Sequence, residues 1–324
     1  MALCVVTGGA GFIGSHLVEH LVRRGDTVRV LDNFSTGQTG NLAGIRDRIE
    51  VVQGSITDPA VVQAAVKGAT WIAHLAALPS VQRSVEDPLS SHEVCATGTL
   101  NVLNAARLSG TRRVVYAASS SAYGDTPGSV RTEDDPVSPL SPYAAAKLAG
   151  EHYCRCFTSV YGLETVRLRF FNIFGPRQDA RSPYSGVIAL FIAAISAGRP
   201  ATIQGDGMQS RDFTYVDNAV QAVLKGSEAP AAVGNVYNIG SGGSIRVVDL
   251  VAHLQQLLAT SIPPTFGPPR AGDVRHSQAD ISRARRDLGY DPQVSFVEGL
   301  RRTIAAFRGQ ESGIRNRESG VSDQ

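Results

Sequence analysis

The sequence predicts an α/β protein built on a doubly wound parallel sheet, with a smaller C-terminal α+β lobe. Two observations carry this reading. From Leu3 to Leu168, short apolar, β-branched runs alternate with helix-length amphipathic stretches, the pattern of successive βαβ units. After about Asn172 the alternation loosens, and Gly and Pro punctuate shorter pieces. A chain of 324 residues with 43% hydrophobic content can bury a core for one large domain or for two smaller ones sharing a cleft.

The expected strands are Cys4–Val6, Val28–Leu31, Val51–Gln53, Trp71–Leu75, Val114–Ala117 and Val166–Leu168. Ser141-Pro142 is a helix-start signal, and the helix it opens is expected to run from Pro142 to Tyr161. A second apolar, Ala-containing helix is expected at Ser91–Leu108, and a third at Val247–Ala259. Breaks at Gly175-Pro176, Ser182-Pro183, Gly198-Arg199-Pro200 and Pro263-Pro264 mark the irregular lobe. From Gly309 to Gln324 the chain is polar and poor in large apolar residues, so a disordered tail is expected there.

Charge and cysteine usage narrow the function classes. A net charge of +2, with both signs interspersed, supplies no basic stripe for nucleic acid and no polybasic arm for a membrane. The first residues lack a basic stretch ahead of their short apolar run, and no apolar run approaches 18 residues, so a cytoplasmic protein is expected. Cys4, Cys95, Cys154 and Cys156 form no C-x-x-C pair and no zinc spacing. They are read as buried free thiols, with no structural metal.

The first strand runs straight into Thr7-Gly8-Gly9-Ala10-Gly11-Phe12-Ile13-Gly14 and then into a helix with Leu17, Leu21 and Val22 on one face. The Gly-x-x-Gly-x-x-Gly spacing lets backbone N–H groups approach a pyrophosphate at a helix N-terminus. Glycines alone are weak evidence in a chain with 33 of them. Asp32, ending the second strand, is what raises them: a carboxylate there can hold both adenosine-ribose hydroxyls. It would repel a 2′-phosphate, and the following Asn33-Phe34 offers no arginine, so NAD is expected rather than NADP. The first domain, 1–171, is therefore read as an NAD-binding Rossmann domain. Residues 172–308 are read mainly as a substrate lobe, with some segments returning to the first domain.

Tyr143 and Lys147 share a helix face at i, i+4. A tyrosine acting as base near neutrality needs its pKa lowered by about 3 units, or about 4 kcal/mol, and a lysine about 4 Å away in an intermediate dielectric supplies roughly that. The preceding strand delivers Ser119, Ser120 and Ser121 to the carboxyl edge of the sheet, where this topology places its chemistry.

With these motifs in place, the chain resembles the sugar-nucleotide epimerase/dehydratase family of extended short-chain dehydrogenases/reductases, from Leu3 to about Phe307. The resemblance implies that Gly8, Gly11 and Gly14, with Phe12 and Ile13, carry the pyrophosphate, and that Asp32 and Asn33 hold the ribose. Ser55 and Ile56 would lie by the adenine, and Leu75, Ala76 and Ala77 by the rest of the cofactor. Ser55 stands where the family commonly has an aspartate. Ser119 becomes the catalytic hydroxyl, Tyr143 the base and Lys147 the holder of the nicotinamide ribose. His74 is given no catalytic role. Asn172, Arg211 and Arg270 fall where the family contacts the diphosphate, and Asp273 where it contacts the nucleotide ribose. Ser80, Ser120, Ser121, Val187 and Ser277 complete the expected substrate site.

Relatives that eliminate water or decarboxylate carry an acid in the turn after the catalytic hydroxyl, whereas this chain has Ser120 and Ser121. The implied reaction is therefore epimerisation at carbon 4 of a UDP-sugar with retained NAD. Ser277, small where some relatives carry tyrosine, leaves room for an N-acetyl group, which points to UDP-N-acetylglucosamine and its galacto epimer, alongside UDP-glucose and UDP-galactose. A UDP-glucuronate epimerase, in which Arg177 or Arg181 pairs with the carboxylate, another sugar-nucleotide oxidoreductase and a non-catalytic NAD-binding module are the alternatives. Homodimerisation through Ser91–Leu108 and Pro142–Tyr161 is also implied.

Overall fold

The computed structural model describes residues 2–126, 128–180, 182, 186–269 and 274–319. Its first half alternates strand and helix: β1 (Leu3–Thr7), α1 (Phe12–Arg24), β2 (Thr27–Asp32), β3 (Glu50–Gln53), α2 (Pro59–Val66) and β4 (Trp71–His74). There follow α3 (Val81–Glu86), α4 (Pro88–His92), α5 (Gly98–Leu108), β5 (Arg113–Ser119), β6 (Val130–Arg131), α6 (Pro142–Tyr161) and β7 (Glu164–Phe170). The second half holds β8 (Asn172–Phe174), α7 (Val187–Ser196), β9 (Thr202–Gln204), β10 (Ser210–Arg211), β11 (Phe213–Tyr215), α8 (Val216–Glu228) and β12 (Val236–Ile239). It ends with β13 (Ile245–Arg246), α9 (Val247–Leu258), β14 (Thr265–Gly267), β15 (His276–Ala279), α10 (Ser282–Leu288) and α11 (Phe296–Ser319).

The expected strands all lie in one seven-stranded sheet of order β12-β7-β5-β4-β1-β2-β3, parallel throughout. Alternation along each strand feeds two cores. Cys4 and Val6 of β1 and Val115 and Ala117 of β5 join Leu17 and Leu21 of α1 and Val220 and Val223 of α8 on one face. Val5, Val114 and Tyr116 meet Val62 of α2, Leu103 of α5 and Phe157 of α6 on the other. Both faces of the sheet are thus covered, which is why its strands read as nearly continuous apolar runs. A third core around Phe174, Phe191, Phe213 and Leu250 belongs to the second lobe.

The two halves of the chain interleave. β12 pairs with β7 and covers what would otherwise be an open edge of the large sheet. In exchange β6, from the first half, joins the four-stranded sheet β13-β10-β15-β6. Asp212, fully buried between β10 and β11, ties these parts together. Its carboxylate accepts from Ser241 N (2.7 Å), Ser241 Oγ (2.7 Å), Gly242 N (2.9 Å), Thr214 Oγ (3.0 Å) and Ala279 N (3.3 Å).

Ser91–Leu108 is helical throughout, as expected, with one widened turn at Glu93–Thr97 that joins α4 to α5 and buries Cys95. Two expectations differ from the structure. Cys4, Cys95 and Cys154 are buried, but Cys156 is exposed, two residues round α6 from Cys154 and so on its outer side. From Gly309 to Ser319 the chain continues as helix α11. Adding residues to an existing helix avoids the cost of nucleation, and this stretch has no proline to stop it.

The Asp212 cluster yields a stability prediction. Asp212→Ala leaves five donors unpaired in the interior and is expected to cost about 3 kcal/mol or more, because hydrogen bonds to a buried charge are the strong ones. Urea unfolding followed by circular dichroism measures it, and a loss under about 1 kcal/mol would contradict the role given to this carboxylate.

Candidate active site

The strand order reverses between β1 and β4, and the turns leaving the carboxyl ends of the strands wall a crevice there. β1 leads into Gly8, whose φ is 71°, and a Cβ at this position would lie 2.8 Å from the Ala76 backbone. A Cβ at Gly14 would lie 2.1 Å from the Gly8 carbonyl oxygen. Only glycine allows backbone to approach backbone so closely, and that approach sets the first turn of α1 down on β1. The helix opens at Gly11 with no side-chain cap and no acid in its first turn, so its N–H groups and positive dipole end remain available to an anion. Beside them Asp32 accepts Ala10 N–H on Oδ2 (2.9 Å) and Phe34 N–H on Oδ1 (2.8 Å). A carboxylate has about four acceptor sites, so both oxygens keep capacity for hydroxyl donors.

His74 fixes the opposite wall. It is fully buried, with Nδ1 2.8 Å from Thr7 Oγ and Nε2 3.0 Å from Thr99 Oγ. Thr99 donates to the Cys95 carbonyl (2.7 Å), so it accepts from an Nε2–H, and Thr7 donates to Nδ1 while accepting Ala76 N–H (3.2 Å). This chain of donors satisfies a neutral imidazole protonated on Nε2. Burial, aided by the nearby Lys147 charge, lowers its pKa to about 3. His74 is thereby structural: it holds Ala76 where Gly8 packs.

α6 starts at Ser141, whose Oγ accepts Ala144 N–H at 3.2 Å, with Pro142 in the first turn. This cap places Tyr143, Lys147 and Glu151 on successive turns of the face that meets β5 and β7. Lys147 is 2% exposed, and its Nζ lies 4.5 Å from the centre of the Tyr116 ring. Ser119 ends β5, accepting Ser121 N–H at 3.2 Å with its Oγ 2.8 Å from Ser121 Oγ. Burial raises the Tyr143 phenol above its ordinary value, Cys95 adds to the rise, and a hydrogen bond to Ser119 opposes it. Burial also lowers Lys147. Against the expected lowering of the tyrosine by its lysine, taking both groups out of water disfavours their charged forms.

One cleft of about 1570 Å³ gathers most of the site. It is lined by Gly8, Gly11, Phe12, Ile13, Gly14, Asp32, Asn33, Ser55, Ile56, Leu75, Ala76 and Ala77, and by Ser119, Ser120, Ser121, Tyr143 and Lys147. Ser80, Asn172, Arg211 and Ser277 line its far end. A single drug-sized ligand fills about 300–1,000 Å³, so this space suits two larger ligands laid end to end. Ser277 of β15 sits directly across from Arg211 of β10. Ser80 also caps α3, its Oγ accepting Arg83 N–H at 3.1 Å. Val187 does not line the cleft: it opens the apolar helix α7 and packs against the core of the second lobe. Arg270, Asp273 and Arg181 lie outside the described residues. Sequence reading overlooked Arg83, Arg131, Gln178 and Gln204, which also line the cleft, because isolated polar residues on short elements or between them belong to no motif and carry no spacing signal.

The model of the NAD dependent epimerase/dehydratase family matches residues 4–240, which include every part of this cleft described above except Ser277. The chain belongs to that family. Among relatives of this epimerase/dehydratase, a UDP-glucose 4-epimerase of Mycolicibacterium smegmatis is 41% identical over 308 residues, covering 94% of this chain and 98% of the relative. A UDP-N-acetylglucosamine 4-epimerase from Methanobrevibacter ruminantium, solved with UDP-N-acetylmuramic acid, superposes with a TM-score of 0.91 at 37% identity, covering 95% of this chain and 99% of the other. A UDP-glucose 4-epimerase of Thermus thermophilus, in complex with NAD, gives a TM-score of 0.87 at 36% identity, with the same coverage.

This epimerase/dehydratase is an NAD-dependent enzyme, and its own residues fit the cofactor. The glycine cradle that any Cβ would fill, the uncapped start of α1 and the carboxylate at Asp32 are the features a dinucleotide requires. No helix among the described residues is long and apolar enough to cross a membrane.

His74 gives this part of the structure a pH dependence. Between about pH 3 and pH 6.5 the unfolded chain binds a proton that the folded histidine refuses, so stability rises with pH there, by up to about 1.4 kcal/mol per unit. The contribution is complete above the unfolded pKa and is lost as pH falls toward 3. Urea midpoints across this range are expected to fall less steeply in His74→Gln, and an unchanged slope would assign the acid sensitivity elsewhere.

Proposed function

We propose that the enzyme reversibly epimerises carbon 4 of a UDP-hexose through a 4-keto sugar, with UDP-N-acetylglucosamine and UDP-N-acetylgalactosamine as one accepted pair and UDP-glucose and UDP-galactose as another. The observation that carries this reading is the turn after β5. It sets three hydroxyls, and no carboxyl group, beside Tyr143 and Lys147. Elimination needs an acid to protonate the departing hydroxyl, and serine at its ordinary pKa cannot serve.

In this reading the lobe of residues 1–171 takes NAD, and residues 172–308 mainly take the sugar nucleotide, with β12 and α8 returning to the first lobe. Gly8, Gly11 and Gly14, with the N–H groups of Phe12 and Ile13, hold the pyrophosphate; Asp32 and Asn33 hold the ribose, Ser55 and Ile56 flank the adenine, and Leu75, Ala76 and Ala77 back the remainder. Held by these residues, NAD would supply reversible hydride exchange with carbon 4 of the sugar. Tyr143 accepts the 4-hydroxyl proton, and Ser119 bridges the phenol to Ser121 and holds the hydroxyl in line. Lys147 supplies the positive charge that stabilises the phenolate. Ser80, Ser120 and Ser121 face the sugar, Asn172 and Arg211 the diphosphate, as would Arg270, with Asp273 on the nucleotide ribose.

Ser277, small and directly across from Arg211, supports room for an N-acetyl group. Arg177 weighs against a uronate. It is already paired with Glu19 of α1, so its charge is neutralised before any carboxylate arrives. The enzyme is also proposed to form a homodimer. Leu89 of α4 (81% exposed), Leu108 of α5 (61%), and Val160 (69%) and Tyr161 (52%) of α6 leave a large apolar surface on helices that pack together, as an isologous helix bundle requires.

Purified protein incubated with UDP-N-acetylglucosamine and no added NAD is expected to yield the galacto epimer, read from anomeric protons by NMR, without net NADH. Tyr143→Phe should lower kcat by about 10²–10⁴-fold, and Ser277→Tyr should lose the acetylated sugar while keeping UDP-glucose. Stoichiometric NADH, or turnover of UDP-glucuronate alone, would replace this reading. Light scattering should give twice the chain mass for the wild type and a lighter species for Leu89→Glu/Val160→Glu; a monomeric wild type would refute the dimer.

A further inference from the structure

Lys147 and Glu151 stand one turn apart on α6, both buried, at a spacing where lysine and glutamate commonly pair. They do not pair. Among the described residues the ion-pair partner of Glu151 is Arg169 of β7, which reaches it with Nε (2.9 Å to Oε1, 3.2 Å to Oε2) and Nη2 (2.8 Å to Oε2). Arg167 spends its own hydrogen bonds on the carbonyls of Gly234 and Asn235. Arg169 Nε and Nη2 are committed to Glu151, so this guanidinium holds the carboxylate at two points rather than one. The same guanidinium packs over the ring of Tyr123, 4.7 Å from its centre, in the turn that carries Ser119.

We infer that Arg169 is a positioning residue: by occupying Glu151 it keeps that carboxylate from capturing Lys147, so the ammonium stays available to Tyr143. The groups facing Lys147 are Tyr143, Glu151 and Cys154 on α6, Tyr116 on β5, His74 on β4 and Cys95 in the turn before α5. Glu151 is the only carboxylate among them. His74 stays neutral, and Cys154 stays a thiol with its pKa raised by burial to about 12. Removing Arg169 therefore leaves one buried anion and one buried cation within a helical turn of each other, each the best partner the other has.

The inference rests on the assignment of Tyr143 and Lys147 to catalysis, and its test separates the two. The pH dependence of kcat, and that of the displacement of retained NAD by added NADH, followed by NADH fluorescence, would be measured for wild type, Arg169→Gln, Arg169→Gln/Glu151→Gln and Arg169→Lys. With Lys147 neutralised by Glu151, the phenolate loses support and the acid limb of kcat moves to higher pH. Arg169→Gln is expected to lose at least about tenfold in kcat near pH 7 and to shift that limb by about one pH unit. The double variant, with no carboxylate left, should return the limb to its wild-type position and recover kcat to within about threefold. NADH affinity should fall in Arg169→Gln and recover in the double variant. Arg169→Lys keeps the compensating charge and should keep the wild-type limb even if its rate falls, which preserves the test if Arg169→Gln does not fold. A merely structural pair predicts the opposite: no shift of the limb, and a double variant no better than Arg169→Gln. That outcome, or a shifted limb in Arg169→Lys, overturns the inference. A wild type inactive on every UDP-sugar would sink the epimerase reading only, because NADH binding would still report on Lys147.

Discussion

The contact on which the rest of the molecule depends is the approach of the Gly8 turn to the Ala76 backbone, close enough that a Cβ would stand 2.8 Å away. It brings the ends of β1 and β4 together at the reversal of strand order and seats α1 with its N-terminus open to the crevice. The buried histidine behind it keeps this contact in register. His74 joins β4 to Thr7 of β1 and Thr99 of α5 through one ordered chain of donors, so three elements must fold together before the cradle exists. The cost is a fully buried imidazole that cannot accept a second proton at neutral pH.

A second junction, at Asp212, performs the same service for the substrate lobe. Five donors from the loop after β12, from β15 and from the neighbouring Thr214 converge on one carboxylate. A Cβ at Gly240 would meet that carboxylate at 2.5 Å. Arg211, one residue before it, is thus carried on the most heavily tied part of the lobe. The exchange of β6 for β12 has the same effect: neither lobe can shift far without breaking sheet pairing in the other.

Electrostatics in the buried face of α6 are arranged by partition. Three functional or charged side chains stand on consecutive turns, and each is given a different partner: Ser119 for Tyr143, the Tyr116 ring for Lys147, and the Arg169 fork for Glu151. In low dielectric these assignments matter more than the charges themselves, since a misplaced pair is held as strongly as a correct one. The Ser277–Arg211 edge, by contrast, can vary in size without disturbing this face.

The sequence by itself determined the fold class, the glycine turn, Asp32, and the Tyr143–Lys147 helix, because each depends on spacing within one element or across one βαβ unit. Periodicity also located the strands to within a residue or two. It could not reveal that Cys95 sits in a widened turn, that Val187 faces a core, or that the helix beyond Gly309 continues, since composition does not report which surface meets which. Asp212 and Arg169 lay in plain view within Ser210-Arg211-Asp212-Phe213 and Arg169-Phe170-Phe171-Asn172, yet Thr214 aside their hydrogen-bond partners are 18 to 67 residues away in sequence. The tertiary structure alone decided how far Tyr143 and Lys147 are withdrawn from water, because that depends on how β5, β7 and α6 close around both, and burial pushes the tyrosine up and the lysine down.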